Sequence, residues 1–268
     1  MPRQLTVANP VANEVFLHSQ TIPGPGLTNT RNAQTFMCWI SGDSTVWGAG
    51  TTYTSSICGM YDGTYNASTT PTTALQIGVK QLNPDGVYVW NWGGNVLVST
   101  SPTSGNGAIT PYTPTANTWF HVAYSCNTWT GTNQTHLMYI NGVLRASSTN
   151  ALQTGGQLTQ NYINGFPQVP PVTYSETTNS KVDDVRLYSR QLSADEIMTI
   201  YNSRGVIDNI VSGLVAYYVF EEGISGQPAN LVFDTSVSIN NLIMQNNGGT
   251  PISYCDGVTG ANVRVPQV

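Results

Sequence analysis

Short segments in which apolar and polar residues alternate occur along most of the chain, and this period of two predicts β-strands. In residues 182–188 (VDDVRLY), strict alternation places Asp183, Val185 and Leu187 on one face and the other residues on the opposite face. Turn-forming Gly, Pro, Asn and Thr residues separate the further strand candidates. These candidates are 14–18, 34–40, 56–61, 74–79, 86–92, 95–99, 119–126, 136–140, 143–146 and 214–220.

The segment QTFMCWI is apolar on both of its faces. Phe36, Cys38 and Ile40 share one face, whereas Met37 and Trp39 share the other. A strand with two apolar faces is typical of the middle of a sheet that is covered on both sides. We therefore expect this segment to be a central strand.

The dipeptide Asn141-Gly142 lies between two apolar runs, at 136–140 and 143–146. A type I′ turn requires positive φ at both of its central residues, and Asn-Gly satisfies this requirement best. The pattern predicts a β-hairpin with its turn at these two residues.

One segment carries a full helix start signal. Ser193 can act as the N-cap, Glu196 three residues later completes a capping box, and Leu192 can pack against Ile197. Ile197, Ile200 and Tyr201 then follow at helical spacing along one face. The sequence predicts a short helix near residues 194–203.

The stretch 181–204, KVDDVRLYSRQLSADEIMTIYNSR, resembles the closing signature of laminin-G-like, concanavalin A-like jelly rolls. The strand QTFMCWI, the strand WFHVAYSC and the hairpin YING resemble three further motifs of that family. The resemblance implies an all-β fold, a two-sheet antiparallel jelly-roll β-sandwich with one short helix. It also implies a structural role for the signature residues, which are Asp183, Asp184, Arg186, Ser193 and Glu196, with calcium or ligand contact as the alternative for Asp184.

The tail beginning GLVAYYVFEEG resembles the segment with which this family usually opens, although it follows the closing helix. One interpretation is a single domain over 1–268 in which 213–268 supplies the opening strands in permuted order. The alternative is a jelly roll over 1–205 with a small C-terminal extension over 206–268. The permuted domain is favoured because about 55 residues are too few to bury a separate core easily.

Charged residues make up 9% of the chain, the net charge is −5 and the pI is near 4.9. The few basic residues are scattered, so a nucleic-acid partner is not expected, because phosphate binding needs a clustered basic face. No apolar run approaches the ~20 residues of a membrane helix, so membrane insertion is not expected. The N-terminal segment shows no signal peptide.

Four cysteines, Cys38, Cys58, Cys126 and Cys255, are widely spaced and include no CxxC pair, so a zinc cluster is not indicated. Buried free thiols are the favoured interpretation, with a disulfide as the alternative. No cofactor is expected to be required.

Calcium is a candidate ligand, because the resemblance implies domains that bind it through Asp and loop carbonyl groups. The candidate residues lie in Gly-, Asn- and Thr-rich loops, and for each of them a turn-forming Asp is the alternative. They are Asp43, Asp62, Asp85, Asp234 and Asp256.

Catalysis is not expected. Glucanases of the resembled fold carry carboxylates at alternate strand positions, and a glycosidase needs two carboxyl groups about 5–9 Å apart. Here the acidic pairs, Asp183-Asp184 and Glu221-Glu222, are adjacent, so their side chains point to opposite faces of a strand. There is no GxSxG motif, and the three histidines are scattered. We therefore assign no catalytic residue.

Tyr88, Trp90 and Trp92 alternate with Val87 and Val89. If the valines face the core, an aromatic stripe is exposed that could stack on sugars or anchor a protein interface. The alternative is that the aromatic residues are core. Trp47 and Trp129, in Gly/Thr-rich turns, are weaker candidates for the same role.

These observations favour a non-catalytic structural or binding protein. The leading hypothesis is an exposed virion component, a phage capsid decoration or tail-associated protein, because laminin-G-like folds occur in such proteins. It would be made in the cytoplasm, reside on the virion surface, bind a protein lattice or itself, and contact host glycans. The alternatives are a soluble glycan-binding, lectin-like module and, less favoured, a carbohydrate-active enzyme.

Overall fold

A computed structural model describes the chain over residues 3–6, 15–19, 28–42, 54–61, 74–80, 86–91, 96–101, 108–150, 156–158, 160–163, 180–203, 209–220, 228, 230–246 and 253–256. Within these ranges the secondary structure is almost entirely β-strand, with a short helix near the C-terminal end of the signature stretch. No helix in the described ranges has the length and apolar character needed to cross a membrane.

The first strands in chain order are β1 (Arg3–Thr6), β2 (Val15–Ser19), β3 (Thr28–Asn29), β4 (Gln34–Gly42), β5 (Thr54–Tyr61), β6 (Ala74–Lys80), β7 (Gly86–Asn91), β8 (Val96–Ser99), β9 (Ala108–Ile109) and β10 (Phe120–Cys126). They are followed by β11 (Gln134–Ile140), β12 (Val143–Asn150), β13 (Gln157–Leu158), β14 (Gln160–Ile163), β15 (Ser180–Tyr188), α1 (Ala194–Ser203), β16 (Leu214–Tyr218), β17 (Leu231–Val232), β18 (Leu242–Asn246) and β19 (Ser253–Asp256).

Two large antiparallel sheets contain most of the described strands. The first sheet has the order β19-β1-β15-β4-β10-β11-β12-β9, with β16 also paired to β15. The second sheet has the order β17-β18-β2-β14-β5-β6-β7-β8, and β3 pairs separately with β13. The inner faces of the two sheets share one hydrophobic core. The expected all-β, two-sheet jelly-roll sandwich with a short helix is confirmed.

Strand β4 lies in the middle of the first sheet, between β15 and β10. Phe36, Cys38 and Ile40 are buried in the core between the sheets. Met37 is buried in a second cluster on the outer face. The prediction of a central strand covered on both faces is confirmed.

Helix α1 covers that outer face. Its buried residues Ile197 and Ile200 pack in the same cluster as Met37 and Leu192. The start of the helix forms the capping box: the Glu196 backbone N–H donates to Ser193 Oγ at 3.2 Å, and the Ser193 N–H donates to Glu196 Oε2 at 2.8 Å. The capping box and the buried apolar face therefore both stabilise the helix that the sequence predicts.

A β-bulge interrupts the alternation of β15. Val182, Val185 and Leu187 all belong to the core between the sheets, so the prediction that Val182 lies on the opposite face from Val185 is wrong. The pairing of β15 with β4 shifts between Asp183 and Arg186, and Asp184 has a positive φ of 50°. The extra residue in the bulge resets which face each following side chain occupies.

The tail strands join both sheets. Strand β16 pairs with the second half of β15, whereas β1 pairs with its first half. Strand β18 pairs with β2 in the second sheet, and β19 pairs with β1 in the first. The single permuted domain over 1–268, and the alternative of a jelly roll over 1–205 with a small extension over 206–268, both remain predictions.

The hairpin between β11 and β12 has the turn that the sequence predicts. Asn141 and Gly142 have φ values of 52° and 76°, as a type I′ turn requires. Gly142 lies against helix α1, because a Cβ atom there would be 2.7 Å from Met198 Sδ. The turn therefore packs directly against the helix.

Candidate functional site

The signature carboxylates stabilise the bulge of β15. Asp184 Oδ1 accepts a hydrogen bond from Arg186 Nε at 2.8 Å, and both side chains are buried. The Arg186 guanidinium also donates to the Tyr217 hydroxyl at 3.1 Å and lies 4.3 Å from the centre of its ring. Asp183 Oδ1 accepts the Asp184 backbone N–H at 2.8 Å. This arrangement suits the structural role expected from the family resemblance.

The carboxylate of Glu196 is paired in the same region. Arg190 donates to both of its oxygens, at 2.6 and 3.0 Å. These hydrogen bonds, with those from Ser193, lower the pKa of Glu196 from 4.5 to about 2. Such a carboxylate stays ionised at neutral pH and is a poor general acid.

The two histidines with described side chains are buried. Burial, with a smaller contribution from the charge of Arg186, lowers the pKa of His121 to about 3. Burial lowers the pKa of His136 to about 4, and its Nδ1 lies 2.8 Å from the Tyr124 hydroxyl. Both imidazoles are neutral at pH 7 and shielded from solvent. His18 lies in β2, where its side chain is outside the described residues.

Asp234 is a loop organiser in this structure. Its Oδ1 accepts the backbone N–H groups of Tyr217 and Ser236, both at 2.8 Å. Its Oδ2 accepts the Ser236 hydroxyl at 2.8 Å and the Asn240 backbone N–H at 2.7 Å. The residue is only 6% exposed. The carboxylate therefore faces hydrogen-bond donors, which suits the turn-forming alternative better than a calcium ligand.

The side chains of the other four calcium candidates lie outside the described residues. Asp43, Asp62 and Asp85 lie outside the described residues, and Asp256 is described only as part of β19. Among the described residues, no three His, Cys, Asp or Glu side chains are close enough together to hold a metal ion. For these four residues calcium binding remains a prediction.

The aromatic stripe of β7 does not form an open surface at Tyr88. Val87 and Val89 face the core between the sheets, as the stripe hypothesis requires, but Tyr88 on the opposite face is only 1% exposed. Trp90 is described only as part of β7, whereas Trp92 and Trp47 lie outside the described residues. At Tyr88 the structure therefore agrees with the alternative that the aromatic residue is buried.

Among the predicted aromatic residues whose side chains the structure describes, Trp129 is partly exposed. It lies in the loop between β10 and β11, half-buried against the edge of the core. Its backbone N–H donates to the Arg31 carbonyl at 2.8 Å, and the Arg31 guanidinium carbon lies 5.7 Å from the centre of the indole ring. A cation at this distance from the ring is within the range of a cation–π contact.

The loop around Trp129 is held by its own hydrogen bonds and presents polar side chains. Thr130 Oγ1 donates to the Asn133 carbonyl at 2.9 Å and accepts the Asn133 N–H at 3.2 Å. Arg31, Thr130 and Asn133 are exposed. We call the surface formed by Arg31, Trp129, Thr130 and Asn133 the Trp129 platform.

The loop after β17 presents apolar side chains that the sequence patterns did not single out. Phe233, Val237 and Ile239 are 49%, 94% and 71% exposed. Ile239 also has a positive φ of 53°, which is unusual for a β-branched residue. In the sequence, these three apolar residues alternate irregularly with Asp, Thr and Ser between two short strands, and this pattern was the signal that could have indicated an exposed loop. We call Phe233, Val237 and Ile239 the apolar loop.

The sheets, the capped helix and the exposed loops define a jelly-roll β-sandwich of the lectin-like type. A family model described as the Concanavalin A-like lectin/glucanases superfamily, of the laminin G group, matches residues 18–198. The chain belongs to this superfamily. No curated protein sequence matches the chain.

Solved structures show the same fold at low sequence identity. A candidate carbohydrate-binding protein from Bacteroides ovatus superposes with a TM-score of 0.60 at 15% identity, covering 97% of this chain and 62% of that one. A heptameric SAP-like pentraxin from Limulus polyphemus gives a TM-score of 0.51 at 14% identity, covering 92% of this chain and 96% of that one. The chain thus spans less than two thirds of the Bacteroides protein.

Proposed function

We propose that this chain is a non-catalytic binding module that recognises carbohydrate through the Trp129 platform. The observation that carries the proposal is the partly exposed indole of Trp129 beside the Arg31 guanidinium, with exposed Thr and Asn side chains around it. The description of the Bacteroides ovatus neighbour as a candidate carbohydrate-binding protein supports the ligand class.

The chemistry of the platform suits a sugar ring. The apolar C–H face of a pyranose can pack on the exposed part of the indole, as aromatic rings provide large rigid contact areas. Hydroxyl groups at the ring edge can then bond with Thr130 and Asn133. Arg31 adds a positive charge, so we expect glycans that carry carboxylate or sulfate groups to bind more tightly than neutral ones.

Three of the described acidic residues support a role without catalysis. Asp184 is paired with Arg186, Glu196 is paired with Arg190, and Asp234 accepts hydrogen bonds from backbone donors. A glycosidase needs two carboxyl groups that face the substrate across the scissile bond. These carboxylates instead hold the fold.

A glycan array tests the proposal. We expect the full chain to bind a defined group of glycans, and Trp129→Ala to weaken that binding at least tenfold. Trp129→Tyr, which keeps an aromatic ring, should retain part of the affinity. The matched control is Phe233→Ala, which removes an exposed aromatic ring from the apolar loop. Absence of any glycan bound, or equal loss in both alanine variants, would contradict the proposal.

A second candidate function is attachment to a protein lattice at a virion surface, where the protein would arrive after synthesis in the cytoplasm. The apolar loop supports it, because exposed apolar residues mark protein contacts. Co-sedimentation with virions, weakened by Val237→Asp, is the expected result. Val237 is 94% exposed, so this substitution should leave the fold intact. A protein that remains in the supernatant would eliminate this candidate.

A further inference from the structure

Two thiols from opposite sheets meet in the core of the sandwich. Cys38 lies in β4 of the first sheet and Cys58 lies in β5 of the second. Both residues are fully buried, and their Sγ atoms are 3.4 Å apart. Two sulfur atoms in a disulfide are about 2.05 Å apart, so the pair needs to approach by only ~1.4 Å.

We propose that Cys38 and Cys58 form a disulfide that links the two sheets when the chain folds in the presence of a disulfide oxidant, such as oxidised glutathione or a protein disulfide oxidase. In the first step one thiol loses its proton and attacks the oxidant, forming a mixed disulfide and releasing one reduced thiol. The second cysteine then attacks the mixed disulfide. The S–S bond forms as both S–H bonds break, and the two electrons reduce the oxidant to two thiols.

The disulfide-forming reaction begins while the chain is folding and not after the sandwich has closed. Thiolate is the reactive form, and burial raises the pKa of the Cys58 thiol well above its ordinary value. A bulky oxidant also has no access to two fully buried sulfur atoms. Attack therefore precedes closure of the sandwich, and the native packing of β4 against β5 then selects the partner.

The other cysteines are poorly placed to compete for Cys38. Along β10, Cys126 lies four residues from Val122, the residue paired with Cys38, which corresponds to ~13 Å. The Cys126 sulfur accepts a hydrogen bond from Gln134 Nε2 at 3.3 Å. Cys255 is in β19, three strands from β4 in the sheet, or ~14 Å. Both separations exceed the ~7 Å Cα limit for a disulfide.

The disulfide would join two central strands, one from each sheet. Cys38 and Cys58 are 20 residues apart in the chain, and a bridge between them restricts the unfolded chain over that loop. For a loop of this length and a domain of this size, we expect the oxidised protein to melt about 6–12 °C above the reduced protein.

The full chain is folded in oxidised glutathione and, separately, in a thiol reductant, and each sample is then unfolded in denaturant, alkylated and measured by intact mass spectrometry. The oxidised sample should carry two alkyl groups and the reduced sample four, and non-reducing peptide mapping should yield one cross-linked peptide joining Cys38 to Cys58. Cys58→Ala should lose the bridge, whereas Cys126→Ala, at an equally buried thiol, should keep it.

The wild-type peptide map keeps the proposal testable if Cys58→Ala fails to fold. Four alkylated thiols after folding in oxidised glutathione would overturn the proposal. A bridge from either residue to Cys126 or Cys255 would also overturn it, as would an oxidised protein that melts at or below the temperature of the reduced one.

Discussion

Replacing Asp234 with Asn tests whether this carboxylate holds the loop between β17 and β18. The carboxylate receives three backbone N–H groups and one hydroxyl at 2.7–2.8 Å, from Tyr217, Ser236 and Asn240. Asparagine has the same shape, but one of its two terminal groups is an NH₂ donor. The substitution therefore changes the hydrogen bonding with almost no change in volume.

The expected loss of stability depends on which of the four hydrogen-bond donors still face an acceptor after the substitution. With the amide oxygen in the Oδ1 position, the backbone N–H groups of Tyr217 and Ser236 keep an acceptor. The Ser236 hydroxyl can rotate and accept from the new NH₂ group, but the Asn240 N–H then faces a donor. Hydrogen bonds to charged groups contribute about 1.5–3 kcal/mol each. We expect Asp234→Asn to cost about 2–3 kcal/mol and Asp234→Ala about 3–5 kcal/mol, since the bonds are not independent.

The assay is urea unfolding at pH 7, followed by intrinsic fluorescence. The midpoint should fall in both variants while the slope m stays unchanged. Asp195→Asn is the matched control, because Asp195 is an exposed carboxylate in the first turn of α1, and its loss should cost about 0.3–1 kcal/mol.

The same urea unfolding assay is repeated with added calcium. Because the Asp234 oxygens already face donors, calcium should not stabilise the wild type through this residue. An Asp234→Asn variant within about 0.5 kcal/mol of the wild type would refute the loop-organising role. Calcium-dependent stabilisation that disappears in that variant would instead favour the calcium hypothesis.

Two further predictions follow from the region around α1. Because the pKa of Glu196 is lowered from 4.5 to about 2, its stabilising effect should be complete above pH 4.5 and disappear as the pH falls towards 2. Urea unfolding of the wild type and Glu196→Gln between pH 7 and 2 should show the two converging at the acid end, and a constant difference would contradict the pairing. Gly142→Ala should destabilise more than Gly131→Ala in thermal unfolding. Both glycines have positive φ, but a Cβ would meet Met198 only at Gly142; equal losses would refute the contact.

The fold was largely predictable because its signals are local. The capping box at Ser193 and Glu196 and the apolar face of Ile197 and Ile200 predict the bounds of α1, and the structure has the helix at Ala194–Ser203. The Asn141-Gly142 turn is likewise encoded by backbone preference alone. Features that arise from a few neighbouring residues can therefore be predicted from the sequence.

The remaining features depend on contacts between distant residues. Strict alternation misassigned Val182, because nothing in VDDVRLY marks the bulge at Asp184. The burial of Tyr88 depends on what packs over the second sheet, and the meeting of Cys38 with Cys58 depends on how the sheets stack. The partial exposure of Trp129 likewise depends on its contacts with residues that are distant in the sequence, such as Arg31. The sequence therefore indicated candidates for a binding site without choosing among them.

The most direct test of the account measures both binding and turnover with one glycan. The best array glycan is titrated into the wild type and Trp129→Ala by calorimetry, and the recovered glycan is then analysed by chromatography. The account predicts saturable binding, at least tenfold weaker in Trp129→Ala, and a glycan of unchanged length. Equal affinity of the two proteins would contradict the Trp129 platform, and a shortened glycan would contradict the non-catalytic role.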